Sequence, residues 1–138
     1  MPISLSNLFD QELMPAVRDF VAGLGLELVL CNSITATEDD YGDDTYFPTP
    51  GMSPVSVGSW SSPAQEGDFW VTNAGPVFVE NTSPSTDVNT YGFILRIPGE
   101  EDVYAWHLFP TAPILVPAGG QIAVNLKLRL SDKLTPEA

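Results

Sequence analysis

The spacing of apolar residues changes once along this chain, and that change constrains the fold more than any other feature. Between residues 8 and 21 the apolar residues recur every three or four positions, which is the spacing of an amphipathic helix. From residue 24 onward they alternate with other residues, which is the spacing of a strand. Without a second helical segment to cross between parallel strands, the sequence predicts a mainly β, antiparallel fold with one short N-terminal helix over residues 6–22.

Pro15 and Gly23 modify the prediction for the helix. A proline lacks an amide donor, so Pro15 predicts either a kink or a helix whose regular part begins there. Gly23 is predicted to end the helix.

Short alternating segments fill the rest of the chain, separated by proline and glycine. Turn residues recur at the spacing typical of an all-β domain, so we expect an antiparallel β-sandwich or jelly roll over residues 24–131. About eight strands are predicted, at residues 24–31, 54–60, 68–73, 76–81, 89–97, 102–109, 113–116 and 120–130.

Composition limits the classes of partner. The 138 residues fit one domain, and 43% of them are hydrophobic, which is enough to form a core. Five basic and eighteen acidic residues give a net charge of −13, which disfavours nucleic acid and anionic membrane surfaces. The sequence shows no long apolar run and no basic, signal-like start, so we expect a soluble protein that binds neither nucleic acid nor membrane.

Few residues are candidates for catalysis or metal binding. Cys31 and His107 are the single cysteine and histidine, which excludes an intramolecular disulfide and a multi-histidine metal site. Cys31 is predicted to be buried and inert, and His107 to be a hydrogen-bonded structural residue. The carboxylates lie mainly in loops, which disfavours a glycosidase. The sequence therefore predicts a protein without enzymatic activity and without a cofactor.

The segment 32–53 is predicted to be a long, irregular, acidic loop. Hard cations such as Ca²⁺ prefer carboxylate oxygens, so the loop is a candidate calcium site, although its spacing does not match an EF-hand. A solvated loop, or one that docks on basic neighbours, is the favoured alternative. Its carboxylates are Glu38, Asp39, Asp40, Asp43 and Asp44.

Positive charge is concentrated near the C-terminus. Lys127 and Arg129 lie on the polar side of the last alternating segment, in a chain that is otherwise acidic. This separation predicts an interface in which Lys127 and Arg129 of one copy meet Asp39, Asp40 and Asp43 of another, with pairing inside one chain as the alternative. The fourteen aromatic residues leave a carbohydrate-binding module as an alternative, because exposed rings can stack on sugars.

Five segments follow the N-terminal helix in a recognisable order: Leu26–Asn32, Pro76–Asn81, Thr90–Leu95, Tyr104–Phe109 and Gln121–Leu130. In this order the chain resembles a family of small virion proteins of tailed bacteriophages, those of the capsid decoration or cement type. The likeness covers residues 8 to 131 and lies in spacing plus a few residues. The chain departs from the family pattern in its expanded acidic loop and in the Trp106-His107 pair.

The resemblance implies a β-sandwich or jelly roll that forms a homotrimer and has no enzymatic activity. The expected partners are other copies of the chain and the major capsid protein, which would place the protein on the outer capsid surface. A net charge of −13 fits that side of the shell, because packaged DNA would repel it. A tail, neck or fibre component is the alternative within the virion.

Overall fold

The computed structural model describes residues 3–4, 7–35, 45–67, 69–129 and 133–134. Half of the chain is in strands and 13% is helical, so the prediction of a mainly β fold with one helix and antiparallel sheets is confirmed. The elements are helix α1 (Asn7–Leu24) and strands β1 (Ile3–Ser4), β2 (Glu27–Thr35), β3 (Thr45–Pro48), β4 (Val55–Ser56), β5 (Ala64–Glu66), β6 (Phe69–Glu80), β7 (Val88–Thr90), β8 (Gly92–Arg96), β9 (Ala105–Leu108), β10 (Ile114–Val116), β11 (Gln121–Arg129) and β12 (Lys133–Leu134).

Helix α1 includes both residues that were expected to interrupt it. It begins at Asn7, close to the predicted start at residue 6, so of the two alternatives for Pro15 the later start is wrong. Pro15 has no amide hydrogen to donate to the carbonyl of Gln11, four residues earlier in the helix. Both residues are exposed, so a water molecule can donate that hydrogen bond instead. The helix passes Gly23 and ends at Leu24, where Gly25 takes a positive φ of 61°. A left-handed residue after the last turn is a common helix end, so the stop lies two residues later than predicted.

Two antiparallel sheets share one hydrophobic core. The first has the order β3-β2-β8-β9, with β4 also pairing with β2, and the second has the order β11-β6-β5. The shared core contains leucines of β2 together with valines of β6 and β11; the arrangement of the sheets as a sandwich stays a prediction. Strands β7 and β10 pair separately, as do β1 and β12. The jelly-roll connectivity stays a prediction.

Strand β2 is buried on both faces. Leu28 and Leu30 belong to the shared core, while Val29 and Cys31 belong to a second cluster on the opposite side of the sheet. Val103 and the half-buried Tyr46 pack in that second cluster and cover this side. The strand begins at Glu27, so the predicted start at residue 24 is wrong.

The predicted irregular loop 32–53 is wrong at residues 32–35 and 45–48, which are β-structure. Strand β2 continues to Thr35, and β3 folds back on it with Ile34 opposite Tyr46. The proline at the end of β3 had suggested a loop, but an edge strand tolerates a proline at its end. Residues 36–44, which include all five carboxylates of the calcium hypothesis, lie outside the described residues.

Strand β6 passes directly through the Gly75-Pro76 pair, where the sequence predicted a turn between two strands. Ala74 lies opposite Leu126 and Val77 opposite Val124, so two residues of β6 face one residue of β11 in a β-bulge. Gly75 has a φ of 107°, and a Cβ there would lie 2.8 Å from the carbonyl oxygen of Val124. The bulge therefore depends on glycine for its backbone conformation and for its space.

Gly75→Ala is expected to lower the free energy of unfolding by about 2–4 kcal/mol, because it combines backbone strain with a backbone clash. Gly99→Ala is the matched control. Gly99 also has a positive φ, of 83°, but no atom lies within 4 Å of its Cβ position. The control should lose only about 1–2 kcal/mol. Urea denaturation measures both values, and equal losses would contradict the steric role of Gly75.

Candidate binding surface

Strand β9 forms one edge of the first sheet and exposes all four of its side chains. Within the described ranges it pairs with β8 alone, and its other side offers free backbone donors and acceptors. A strand with a free edge is a template for pairing with another chain. Strand β9 is therefore the first element to consider as a binding site.

The outer face of β9 carries large apolar side chains. Trp106 is 37% exposed and lies opposite Ile94, while Leu108 is 48% exposed and lies opposite Gly92. Tyr104, which immediately precedes the strand, is half exposed. We call Tyr104, Trp106 and Leu108 the edge patch. Exposed apolar groups grouped on one short segment are typical of a protein interaction site.

Gly92 determines how closely β9 approaches the sheet. A Cβ at Gly92 would lie only 2.2 Å from the carbonyl oxygen of His107, so any other residue would push β9 away from β8. The hydrogen bonds from Tyr104 N to Leu95 O and from Phe109 N to Tyr91 O, at 2.8 and 2.9 Å, fasten the two ends of the strand. The edge patch is thus presented by a firmly attached strand.

The inner face of β9 borders an open groove of about 600 Å³ between the two sheets. The His107 ring lies 5.5 Å from the ring of Phe93 and 5.8 Å from that of Phe109, measured between centroids. Strand β11, which ends the order of the second sheet, forms the opposite wall. The residues lining the groove include Phe93, His107, Phe109, Ile122, Val124, Leu126 and Lys127. The groove therefore runs between the end strands of both sheets and is mostly apolar.

The two basic residues predicted to form an interface have partners within their own chain. Lys127 donates a hydrogen bond to a carboxylate oxygen of Glu66, and both side chains are about half exposed. The Arg129 guanidinium lies 4.5 Å from the ring centroid of Phe69. Exposed contacts of this kind contribute little stability, so another subunit's carboxylates can compete for them. The intermolecular role of Lys127 and Arg129 stays a prediction, as does that of Asp39, Asp40 and Asp43, which lie outside the described residues.

The structure does not bring Cys31 and His107 together. Cys31 is fully buried in the second cluster, whereas His107 lies beside Phe93 on the other face of the same sheet. Burial raises the pKa of the Cys31 thiol to about 11, and its Sγ donates to the carbonyl oxygen of Val29 at 3.4 Å. A thiol held in the protonated form and separated from the histidine by the sheet cannot serve as its nucleophile partner.

Among the described residues, no group of three or more His, Cys, Asp or Glu side chains is placed to hold a metal ion. Over the same residues, no helix has the length and apolar character required to cross a bilayer. Comparisons with models of known protein families, with curated proteins and with solved structures found no match.

Sequence reasoning predicted a strand around β9 but missed its exposure. Alternation identifies the residues that share a face, and His107 was expected to be a hydrogen-bonded structural residue, whereas the structure exposes it. Whether anything covers that face depends on the order of strands in the sheet, which alternation does not report. The acidic run Glu100–Asp102 just before the strand is the one local signal, because charged residues often flank an exposed edge.

The buried Cys31 thiol should react very slowly in the native protein. With a pKa of about 11, only about one thiol in a thousand is ionised at pH 8, and the thiolate is the reactive form. Ellman's reagent should detect almost no thiol in the native protein and one per chain in 8 M urea, about the concentration that unfolds small domains. Rapid reaction of one thiol in the native protein would contradict this burial.

Proposed function

We propose that this chain is a structural protein that binds neighbouring protein subunits through β9, as an accessory protein that decorates and cements a phage capsid. The exposed edge patch on a free strand edge carries the proposal. The sequence resemblance supplies the setting, namely a homotrimer on the outer capsid surface. Binding of this kind stabilises an assembled shell because the ligand binds the assembled form and not the separated subunits.

Two properties of β9 support subunit binding. Its free edge can accept a neighbouring strand through backbone hydrogen bonds, which gives affinity with little dependence on sequence. Trp106 and Leu108 can then bury apolar surface against the neighbour, and tryptophan is enriched among the residues that dominate interface energies. The adjoining groove offers space for a side chain from the neighbour.

Charge supports the outer side of a shell over the inner side. The chain carries −13, and the exposed carboxylates of Glu100, Glu101 and Asp102 lie next to the edge patch. Packaged nucleic acid would repel such a surface. A partner surface with basic groups beside an apolar patch would fit it well.

The double variant Trp106→Ser/Leu108→Asp should abolish self-association, because it removes apolar surface and places a charge in the interface. Sedimentation equilibrium at about 1–100 µM, the range in which modest interfaces assemble, should show wild-type species of about three times 14.9 kDa. The variant should sediment as a 14.9 kDa monomer with an unchanged circular dichroism spectrum.

Phe20→Ser is the matched control. Phe20 is 66% exposed on helix α1, so the control removes a more exposed aromatic ring from a different element. It should leave the association unchanged. A wild-type chain that remains monomeric, or a control that dissociates as fully as the double variant, would contradict assembly through β9.

The basic residues give a separate prediction. If Lys127 and Arg129 meet carboxylates of another subunit, Lys127→Glu/Arg129→Glu should weaken association at least about tenfold, or about 1.4 kcal/mol. The wild-type association should also weaken with added salt, because exposed charges are screened. If the double variant associates like the wild type across a salt titration, Lys127 and Arg129 take no part in the interface. Their contacts are then those with Glu66 and Phe69 of their own chain.

The place on the particle is tested by the symmetry of the native assembly. Cryo-electron microscopy of the virion should show the chain in threefold clusters on the outer surface of the capsid lattice. Clusters of another symmetry at the neck, or a ring around the tail axis, would instead identify a neck or tail component. A chain absent from purified virions would refute the virion proposal.

A further inference from the structure

A second concave site, which shares no lining residue with the groove beside β9, lies next to Asn32 of β2, the end of β3 and strand β7. It is an open cleft of about 500 Å³, which is within the range of pockets that bind small molecules. None of its lining residues belongs to the edge patch or to β11. Those residues are Asn32, Thr49, Pro50, Thr86, Val88, Asn89 and Tyr91.

The side chains that line this cleft are uncharged, and most of the surface they expose is apolar. Asn32 and Asn89 expose amides that can each donate and accept hydrogen bonds, and Thr86 adds an exposed hydroxyl group. Tyr91 is 40% exposed and supplies an aromatic ring with a phenolic hydroxyl. The lining contains no basic side chain to attract an anion, on a chain whose net charge is −13. The cleft therefore favours a neutral ligand with several hydroxyl groups and an apolar face.

The backbone holds Tyr91 firmly at this position. Its amide donates to the carbonyl oxygen of Cys31 at 2.9 Å, and its own carbonyl accepts from the amide of Phe109 at 2.9 Å. Beneath it, the buried hydroxyl of Thr49 donates to that of Thr90 at 3.3 Å. A ring on a backbone fixed from both sides loses little freedom when a ligand binds, which favours affinity.

Asn81 fixes the side of the cleft that Thr86 lines. This side chain is fully buried, and its amide nitrogen donates to the carbonyl oxygens of Thr86 at 2.8 Å and Val116 at 3.1 Å. Its amide oxygen accepts from the backbone of Ser83 at 3.1 Å. Four polar residues are buried in the described part of the chain, and Thr49, Thr90 and Asn81 lie in or beside this cleft. Satisfied buried polar groups make a region rigid, so the cleft is formed before any ligand arrives.

We propose that this cleft binds a neutral saccharide. The apolar C–H face of a pyranose ring stacks on Tyr91, and the amides of Asn32 and Asn89 hydrogen-bond to its hydroxyl groups. The volume accommodates one or two sugar rings. This site is separate from β9, so a decorating subunit could hold a glycan while its edge patch contacts its neighbours.

The first test uses an array of neutral oligosaccharides followed by isothermal titration calorimetry with each glycan retained. At least one should bind with a Kd below about 10 mM, the weak limit of a specific contact. In NMR titration, the amide shifts should move at Asn32, Thr86, Asn89 and Tyr91. The proposal is overturned if no neutral glycan binds at that level, if only charged glycans bind, or if the shifts map elsewhere.

Variants of the ring give the second test. Tyr91→Ala should weaken binding at least about tenfold, and Tyr91→Phe should retain most of the affinity because the stacking face remains. Tyr104→Ala removes an aromatic residue of similar exposure from the edge patch and should bind glycan like the wild type. Equal binding by Tyr91→Ala and the wild type would overturn the proposal.

A cross-test separates this site from the assembly surface. Trp106→Ser/Leu108→Asp should bind the glycan with unchanged affinity, whereas Tyr91→Ala should self-associate normally. Loss of glycan binding in the β9 variant would place the sugar on the edge patch and overturn the assignment to this cleft. Thermal unfolding of each variant confirms that a loss of binding does not reflect a loss of folding.

Discussion

The pairing of β2 with β8 is the constraint on which the rest of the structure depends, because both strands are buried on both faces. When one face of a strand is apolar and the other polar, a one-residue slip exposes the apolar side, and burial alone sets the register. Here both faces are apolar, so a slip would carry a smaller hydrophobic penalty. The register needs another determinant, and the half-buried ion pair from Arg96 Nε to Glu27 at 2.8 Å provides it at one end of the ladder.

The other end of that ladder controls the exposed edge. Gly92 pairs with Cys31 on one side and with Leu108 on the other, so it connects the central pair of strands to β9. Because Gly92 has no side chain, β9 can approach β8 closely and direct Trp106 and His107 to opposite faces. The surface proposed to bind subunits therefore depends on a residue that is itself buried.

The sequence predicted the class of fold well because apolar spacing reports which residues share a face. It failed where a turn residue sits inside an element: Gly23 lies within α1, and Gly75 and Pro76 lie within a bulge of β6. A proline or glycine reports a local preference, whereas the bulge depends on the opposite strand. The exposed β9 and the Tyr91 cleft were also beyond prediction, because each depends on strand order and on residues distant in the sequence.

The burial of Asn81 has a practical consequence for expression. Asn81-Thr82-Ser83 is an acceptor sequence for N-linked glycosylation, but the amide nitrogen that would carry the glycan is fully enclosed. Its hydrogens are already donated to carbonyl oxygens of the 86 and 116–117 segments. In a eukaryotic secretory host, the modifying enzyme would reach this asparagine before folding, and the attached sugar would exclude the native arrangement. Bacterial or cytosolic production avoids that competition between modification and folding.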